Sequence, residues 1–318
     1  MNALVTGGAG FIGSHIAEAL VRRGDRVVVL DDLSLGSVAN LAWKRPGDAL
    51  EFVEGDAGDG DLVAKLLPGI DVVFHHGALP SVPRSVAEPV GSNAQNLDAT
   101  LRLLVAARDA GVRRFVFASS SSIYGDQDTP SKHESLPPRP LSPYALQKYA
   151  AERYGQLFHQ LYGTPVVSLR YFNVFGPRQS AGSPYSGVIA KFCMAALAGE
   201  TPVIHGDGRQ SRDFTFIENV VAANLLAADA PAEHVAGRVF NIACGESIDL
   251  LRLASDLAAL TGRLMEPRFE PARAGDVRHS RADISAARQA LGYEPHVSWA
   301  EGLRRTLEWY RDAGDRPA

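Results

Sequence analysis

A short apolar strand, Ala3 to Thr6, runs directly into Gly7-Gly8-Ala9-Gly10-Phe11-Ile12-Gly13 and then into the helical pattern Ser14 to Arg23. Strand, glycine turn and helix in this order imply a doubly wound α/β sheet, with backbone N–H groups gathered at a helix N-terminus where a pyrophosphate can sit. The glycines follow a G-x-x-G-x-x-G spacing at Gly7, Gly10 and Gly13, unlike the usual G-x-G-x-x-G, and a tight turn that binds nothing is the competing reading. The next strand, Arg26 to Leu30, ends in Asp31, 18 residues after Gly13. That is close to the spacing of a carboxylate that accepts both adenosine ribose hydroxyls and repels a 2′-phosphate. No Lys or Arg precedes Trp43 after Asp32 until that segment ends, so NAD rather than NADP is expected.

Further strands follow at Glu51 to Glu54, leading into Gly55-Asp56, and at Val72 to His75, leading into His76-Gly77-Ala78-Leu79. Small residues after a parallel strand let a cofactor approach the backbone. His75 and His76 point to opposite faces and lack a third ligand, so no metal is expected. Asn93 to Ala110 reads as a long helix, and Val112 to Ala118 as a buried strand ending in Ser119-Ser120-Ser121-Ser122-Ile123-Tyr124-Gly125. Ser142-Pro143 then starts a helix running to about Leu161. It carries Tyr144 and Lys148 on one face. An ammonium beside the phenol favours the phenolate, and bringing the phenol to about 7 takes roughly 4 kcal/mol. Tyr-x-x-x-Lys would then supply a base for an alcohol proton.

The 318 residues, 46% hydrophobic, can bury a large core split over two lobes. A net charge of -4 with interspersed signs offers no basic stripe for nucleic acid. No apolar run suggests a membrane span and no signal peptide precedes the first strand, so a cytoplasmic protein is expected. Cys193 and Cys244 lack metal or disulfide spacing and read as core thiols.

Taken together, Thr6 to Gly13, Asp31, Ser119 to Gly125, Tyr144 with Lys148, and Leu169-Arg170-Tyr171-Phe172-Asn173-Val174 resemble the extended short-chain dehydrogenase/reductase family. Gly206-Asp207-Gly208, Arg212-Asp213-Phe214 and Arg273 with Gly275-Asp276 extend the resemblance over almost the whole chain, toward the nucleotide-sugar 4-epimerases. The resemblance implies a Rossmann domain over 1–175 and about 214–247, with strand Phe214 to Ile217 and strand Arg238 to Ile242 rejoining the main sheet. A nucleotide-sugar lobe would then span 176–213 and 248–318. It places the catalytic Ser/Thr at Ser120, beside Tyr144 and Lys148. Implied cofactor contacts are Gly7, Gly10, Phe11, Ile12, Gly13, Asp31, Asp32, Ser34, Gly36, Asp56, Ala57, His76, Gly77, Ala78, Asn96, Tyr171 and Val174, with Asn96 also supporting the active-site helix. Implied substrate contacts are Ser81, Ser122, Asn173, Gly187, Val188, Val203, His205, Arg212, Arg273, Asp276 and Ser280.

In the dehydratases of the family an Asp-Glu pair follows the Ser/Thr; here Ser121 and Ser122 follow it, which implies 4-epimerisation with tightly bound NAD. Pro80, in a position where many galactose-type epimerases carry Lys, and Ser280, where a Tyr restricts the pocket, imply UDP-GlcNAc/UDP-GalNAc turnover with UDP-Glc/UDP-Gal as possible co-substrates. A UDP-uronate, met by Arg84 or Arg178, is the alternative, and a non-catalytic NAD-binding sensor or scaffold is the alternative of another class. A homodimer is expected through helices Asn93 to Ala110 and Tyr144 to Leu161.

Overall fold

The computed structural model describes residues 1–182, 187–272 and 278–314. The N-terminal half alternates strand and helix: β1 Asn2–Thr6, α1 Phe11–Arg23, β2 Arg26–Asp31, β3 Leu50–Glu54, α2 Gly60–Leu66 and β4 Val72–His75. There follow α3 Val82–Ala87, α4 Pro89–Asn93, α5 Ala99–Asp109, β5 Arg114–Ser120, α6 Pro143–Tyr162 and β6 Val166–Tyr171. The C-terminal part holds β7 Val174–Phe175, α7 Val188–Ala198, β8 Val203–His205, β9 Ser211–Arg212, β10 Thr215–Phe216, α8 Ile217–Asp229, α9 Ala232–Val235 and β11 Val239–Ile242. Last come β12 Ile248–Asp249, α10 Leu250–Thr261, β13 Arg268–Glu270, β14 His279–Ser280, α11 Ser285–Leu291 and α12 Trp299–Gly314.

Seven parallel strands stand in the order β11-β6-β5-β4-β1-β2-β3. Their apolar residues alternate between two cores, as the period-2 geometry of a strand covered on both faces requires. Leu4, Val28, Leu30, Val73, Phe115, Phe117 and Val166 pack on one side with residues of α2, α5 and α6. Ala3, Val5, Val27, Val29, Phe74, Val116 and Leu169 face the other, with residues of α1 and α8. The chain order reverses between β1 and β4, which opens a crevice at the strands' C-terminal ends.

Most elements lie within a few residues of their sequence positions. The Ser142 hydroxyl caps α6 by accepting from the Ala145 N–H, Pro143 occupies its first turn, and Gly163 ends it in the left-handed region. The expected helix Asn93 to Ala110 contains a π-helical stretch over Ala94–Asp98 between α4 and α5. The widened turn presents Asn96, whose side chain reaches both Leu79 and Gln147. Phe214 to Ile217 does not join the main sheet. The place beside β6 is taken by β11, so β10 pairs in parallel with β7 instead.

Asp213, between β9 and β10, joins the turn after the main-sheet strand β11 to the segment after β14. Its carboxylate accepts from the N–H groups of Cys244, Gly245 and Ala282 at 2.9, 3.0 and 3.1 Å. Burial pushes its carboxyl up to about 6 against the pull of those amides. Asp213→Ala strands three donors, the Ala282 N–H buried and the other two partly so, at a cost of about 1–3 kcal/mol for the buried one and less for the others. Thermal unfolding should show a melting point lowered by several degrees; an unchanged one would mean that these segments are held together elsewhere.

Candidate functional site

The glycine turn after β1 is shaped by contacts that only hydrogen can make. Gly7 has φ +64°, and a Cβ there would lie 2.7 Å from the Gly77 nitrogen; one on Gly13 would lie 2.2 Å from the Gly7 carbonyl oxygen. The loops after β1 and β4 therefore meet backbone to backbone at the sheet's reversal point. Gly10 stands at the N-terminus of α1 with no side-chain cap, so first-turn N–H groups remain for an anion.

The crevice is a cavity of about 600 Å³ lined along one end by Gly7, Gly10, Phe11, Ile12, Gly13, Asp31, Asp32, Ser34, Gly36, Asp56 and Ala57. His76, Gly77, Ala78, Ser81, Ser120, Tyr144, Lys148, Tyr171, Asn173, Val174 and Gly187 line the rest. Asp31 accepts from the N–H groups of Ala9 and Leu33, each at 2.9 Å, one on each carboxylate oxygen. The Gly10 amide is a third donor, which leaves acceptor capacity on the carboxylate for a ribose hydroxyl. Burial raises the Asp31 carboxyl above its ordinary range, opposed by these amides.

At the other end β5 and α6 bring the chemistry together. Ser120 caps the turn Ser121–Tyr124, its oxygen accepting from the Ser122 N–H at 3.2 Å and sharing a 2.8 Å hydrogen bond with the Ser122 hydroxyl. The same Ser120 side chain is hydrogen-bonded to the Tyr144 phenol. The Lys148 Nζ donates to the Ala118 carbonyl at 2.8 Å and lies 4.9 Å from the centre of the Phe117 ring. Burial lowers its ammonium to about 7. The sequence suggests a phenol depressed by this ammonium, but in the structure burial raises the Tyr144 phenol and the Ser120 hydrogen bond opposes it. The reason is placement: Lys148 is committed to a carbonyl and is itself desolvated.

His76 stacks on Tyr171 at 6.0 Å and 17°, with Nε2 3.0 Å from the phenol oxygen. Burial and the nearby Lys148 lower this imidazole to about 3, so it is neutral. His75 turns away from the cavity, between the hydroxyls of Thr6 and Thr100 at 2.7 and 2.8 Å. Among the described residues no group of three or more His, Cys, Asp or Glu is placed to hold a metal ion.

A second cavity of about 270 Å³ adjoins the first, sharing Asn173, Val174, Gln179 and Gly187 and adding Val188, Val203, His205, Arg212 and Leu250. Asn173 has φ +32°, a costly conformation for a non-glycine residue, and its amide donates to the Asp213 carbonyl at 3.2 Å. Arg212 donates to the Ser211 carbonyl at 2.9 Å.

Three anticipated contacts lie off both walls. Asn96 is buried, accepting from the Leu79 N–H at 2.6 Å and donating to Gln147 at 2.8 Å, so it joins the loop after β4 to α6 rather than lining the cleft. Ser122 stands behind Ser120, and Ser280 lies on β14 beside Arg212. Arg273 and Asp276 lie outside the described residues. Cys193 is buried as anticipated, whereas Cys244 is only half-buried. Gln95, Gln179 and Ser180 line the first cavity without any sequence signal, because loop packing alone brings them there.

The glycine cradle, uncapped helix, Asp31 carboxylate and elongated cavity fit a dinucleotide. Residues 3–243 match the NAD dependent epimerase/dehydratase family. The chain is 42% identical over 316 residues to a UDP-glucose 4-epimerase of Mycolicibacterium smegmatis, covering 98% of this chain and 99% of the relative. Among solved structures it is similar to the UDP-N-acetylglucosamine 4-epimerase of Methanobrevibacter ruminantium in complex with UDP-N-acetylmuramic acid, with TM-score 0.93, 41% identity and 98% of each chain covered. The UDP-glucose 4-epimerase of Thermotoga maritima with UDP-glucose gives TM-score 0.93 and 39% identity, covering 99% of this chain and 100% of that one. Matched by this family's model over residues 3–243 and similar to these relatives over nearly its whole length, the chain belongs to the NAD dependent epimerase/dehydratase family.

Proposed function

We propose that the protein interconverts the C4 epimers of UDP-hexoses, with UDP-GlcNAc and UDP-GalNAc as substrates and UDP-Glc and UDP-Gal as co-substrates. The observation that carries this reading is the Ser120-Tyr144-Lys148 centre on the wall of the dinucleotide cleft, which adjoins the Arg212 cavity through Asn173, Val174, Gln179 and Gly187. Among the described residues the carboxylates on the cleft wall are Asp31, Asp32 and Asp56, all at the ends of β2 and β3. Among the described residues no carboxylate of the cleft wall stands beside Ser120 to eliminate water or expel a carboxyl group, which favours oxidation and re-reduction at one carbon.

Gly7 to Gly13 and Asp31 would hold the NAD pyrophosphate and adenosine ribose, and the cofactor supplies a hydride acceptor and donor. Tyr144 takes the proton from the sugar O4 as its carbon is oxidised and returns it after the 4-keto sugar has turned over. Ser120 holds O4 against the phenol. Lys148 anchors α6 on the Ala118 carbonyl and adds positive potential at the cleft. Arg212, with Arg273 and Asp276, would retain UDP during the rotation, and Asn173 the sugar diphosphate. Proton and hydride both return, so the reaction is redox-neutral.

Support for the acetylated substrates comes from the UDP-N-acetylglucosamine 4-epimerase relative and from the small side chain of Ser280, which lines neither cavity itself but pairs directly with Arg212 of the second. Arg84 on the cleft wall favours a UDP-uronate as the second reading.

Tyr144→Phe should keep the fold and the bound NAD yet lose kcat by about 10²–10⁴, since it removes only the acid-base oxygen. Conversion of UDP-GlcNAc to UDP-GalNAc checks this, and near-wild-type turnover would refute the mechanism. Ser280→Tyr adds aromatic bulk where an acetamido group must fit, an overpacking cost of about 1–3 kcal/mol. The expected result is roughly a ten- to hundredfold loss of kcat/KM on acetylated sugars with UDP-Glc and UDP-Gal spared; equal losses on both would place residue 280 away from the acetyl group.

A homodimer is part of this proposal. Val82, Val86 and Val90 recur every four residues along α3 and α4, while Leu146, Leu157 and Leu161 are exposed on the adjoining α6. Such a stripe suits an isologous helical interface. Light scattering should give twice the chain mass of 34.1 kDa, and Leu157→Lys with Leu161→Lys should reduce it to one; a monomeric wild type would contradict the interface.

A further inference from the structure

Three residues on one face of α6, spaced by four, each engage one of three consecutive residues at the end of β5. Tyr144 is hydrogen-bonded to Ser120, Lys148 donates to the Ala118 carbonyl at 2.8 Å, and the Glu152 carboxylate accepts from the Ser119 hydroxyl at 2.8 Å. The first two rungs reach the cleft. The third does so only through Ser119: Glu152 and Arg170 are absent from the walls of both cavities.

Glu152 is nonetheless a charged group with a side chain only 2% exposed, paired with an Arg170 side chain 4% exposed. The guanidinium binds it in bidentate fashion, Nε donating to Oε2 at 2.9 Å and Nη2 to Oε1 at 2.6 Å. Arg170 stands on β6 directly opposite Ser119 in the parallel register, and the next pair along is Ser120 with Tyr171. On its other face the Arg170 guanidinium lies 4.7 Å from the centre of the Tyr124 ring. Tyr124 closes the turn that Ser120 caps, and its hydroxyl donates to Asn241 at 2.7 Å. The ion pair thus grips the serine turn before and after Ser120.

Burying such a pair costs desolvation that its mutual attraction seldom exceeds, and a well-packed apolar pair is often as stable or more so. Stability alone is therefore a poor reason for these charges. Resting on the reading of Tyr144 as the acid-base group, we propose that Glu152, held by Arg170, is a positioning residue that fixes Ser119 and thereby sets the Ser120 hydroxyl on the Tyr144 phenol. The working unit of α6 is then Tyr144, Lys148 and Glu152.

The consequence has a sign. The phenol is pushed up by burial, and the hydrogen bond from Ser120 pulls it back. A Ser120 hydroxyl allowed to drift leaves burial less opposed, so the phenol should titrate at higher pH. The acid limb of the kcat profile should move the same way.

The test uses the NAD-loaded protein. Ser119→Ala removes the third rung and leaves the ion pair intact; Ser119→Thr keeps the hydroxyl; Glu152→Met with Arg170→Met replaces both charges with apolar bulk. For each, the Tyr144 phenol is titrated by tyrosinate ultraviolet absorbance as a difference from the same protein carrying Tyr144→Phe, beside kcat profiles and thermal melts. Expected is a melting point near wild type for Ser119→Ala, a phenol titrating at higher pH, and kcat on the acid limb down roughly three- to tenfold, one unit of pKa being a factor of ten. KM should stay within about twofold because Ser120, Tyr144 and Lys148, the proposed substrate-side groups, are unchanged. Ser119→Thr should restore the wild-type titration, and the double Met variant should shift it at least as far as Ser119→Ala.

A phenol titrating at the wild-type pH in Ser119→Ala would overturn the proposal, and if the double variant does not fold, Ser119→Ala decides alone. The titration reads the phenol without turnover, so the two claims fail separately. An active Tyr144→Phe would refute the acid-base reading, whereas an inactive Tyr144→Phe with an unshifted titration would refute only the role of Glu152.

Discussion

The backbone contact between Gly7 and Gly77 is the constraint on which the site depends. At that point the order of the parallel strands reverses, helices leave toward opposite faces, and the loops after β1 and β4 must nearly touch. A side chain on Gly7 would hold them apart, and one on Gly13 would displace the first turn of α1 from the Gly7 carbonyl. With both glycines in place, the amides at the start of α1, the Asp31 carboxylate and the loop His76 to Ala78 face one crevice. Everything the cofactor needs follows from that approach.

On this scaffold the reacting centre is assembled by desolvation. Lys148 is taken out of water and given a carbonyl, and the phenol of the half-buried Tyr144 is desolvated with a hydroxyl as its partner. Both groups are driven toward their neutral forms, so the charge brought by ligands governs their proton state more strongly than in an open site. The buried Asn96 serves the same end without touching a ligand: through Leu79 and Gln147 it ties the loop after β4 to α6, and the π-helical stretch around it is the backbone adjustment that lets it reach both. Asp213 plays a similar part near the second cavity, holding the turn after β11 and Ala282 beside the strand that carries Arg212.

Much of this was legible from residues alone, and the reason is locality. The glycine turn, the Asp31 spacing, the cap at Ser142 and the four-residue separation of Tyr144 and Lys148 are each decided within a few residues of chain, where backbone geometry leaves little choice. The apolar alternation that assigns strands to two cores is equally local. The course of Phe214 to Ile217 was not, because its pairing depends on which strand reaches the edge of β6 first, and β11 comes from later in the chain.

Sequence by itself determined the fold class and the cofactor and singled out the proposed acid-base residues, since these rest on short-range geometry and side-chain chemistry. Tertiary structure decided how those residues are tuned. That Tyr144 feels burial and Ser120 rather than an adjacent ammonium depends on where Lys148 spends its proton. That Asn96 stands behind the cleft, Ser280 beside Arg212 and Gln179 between two cavities depends on packing between segments far apart in sequence. So does the pairing of Glu152 with Arg170 and Ser119, three residues on three elements, because the free energy of a buried charge is set by its neighbours in space and no short window of sequence contains them.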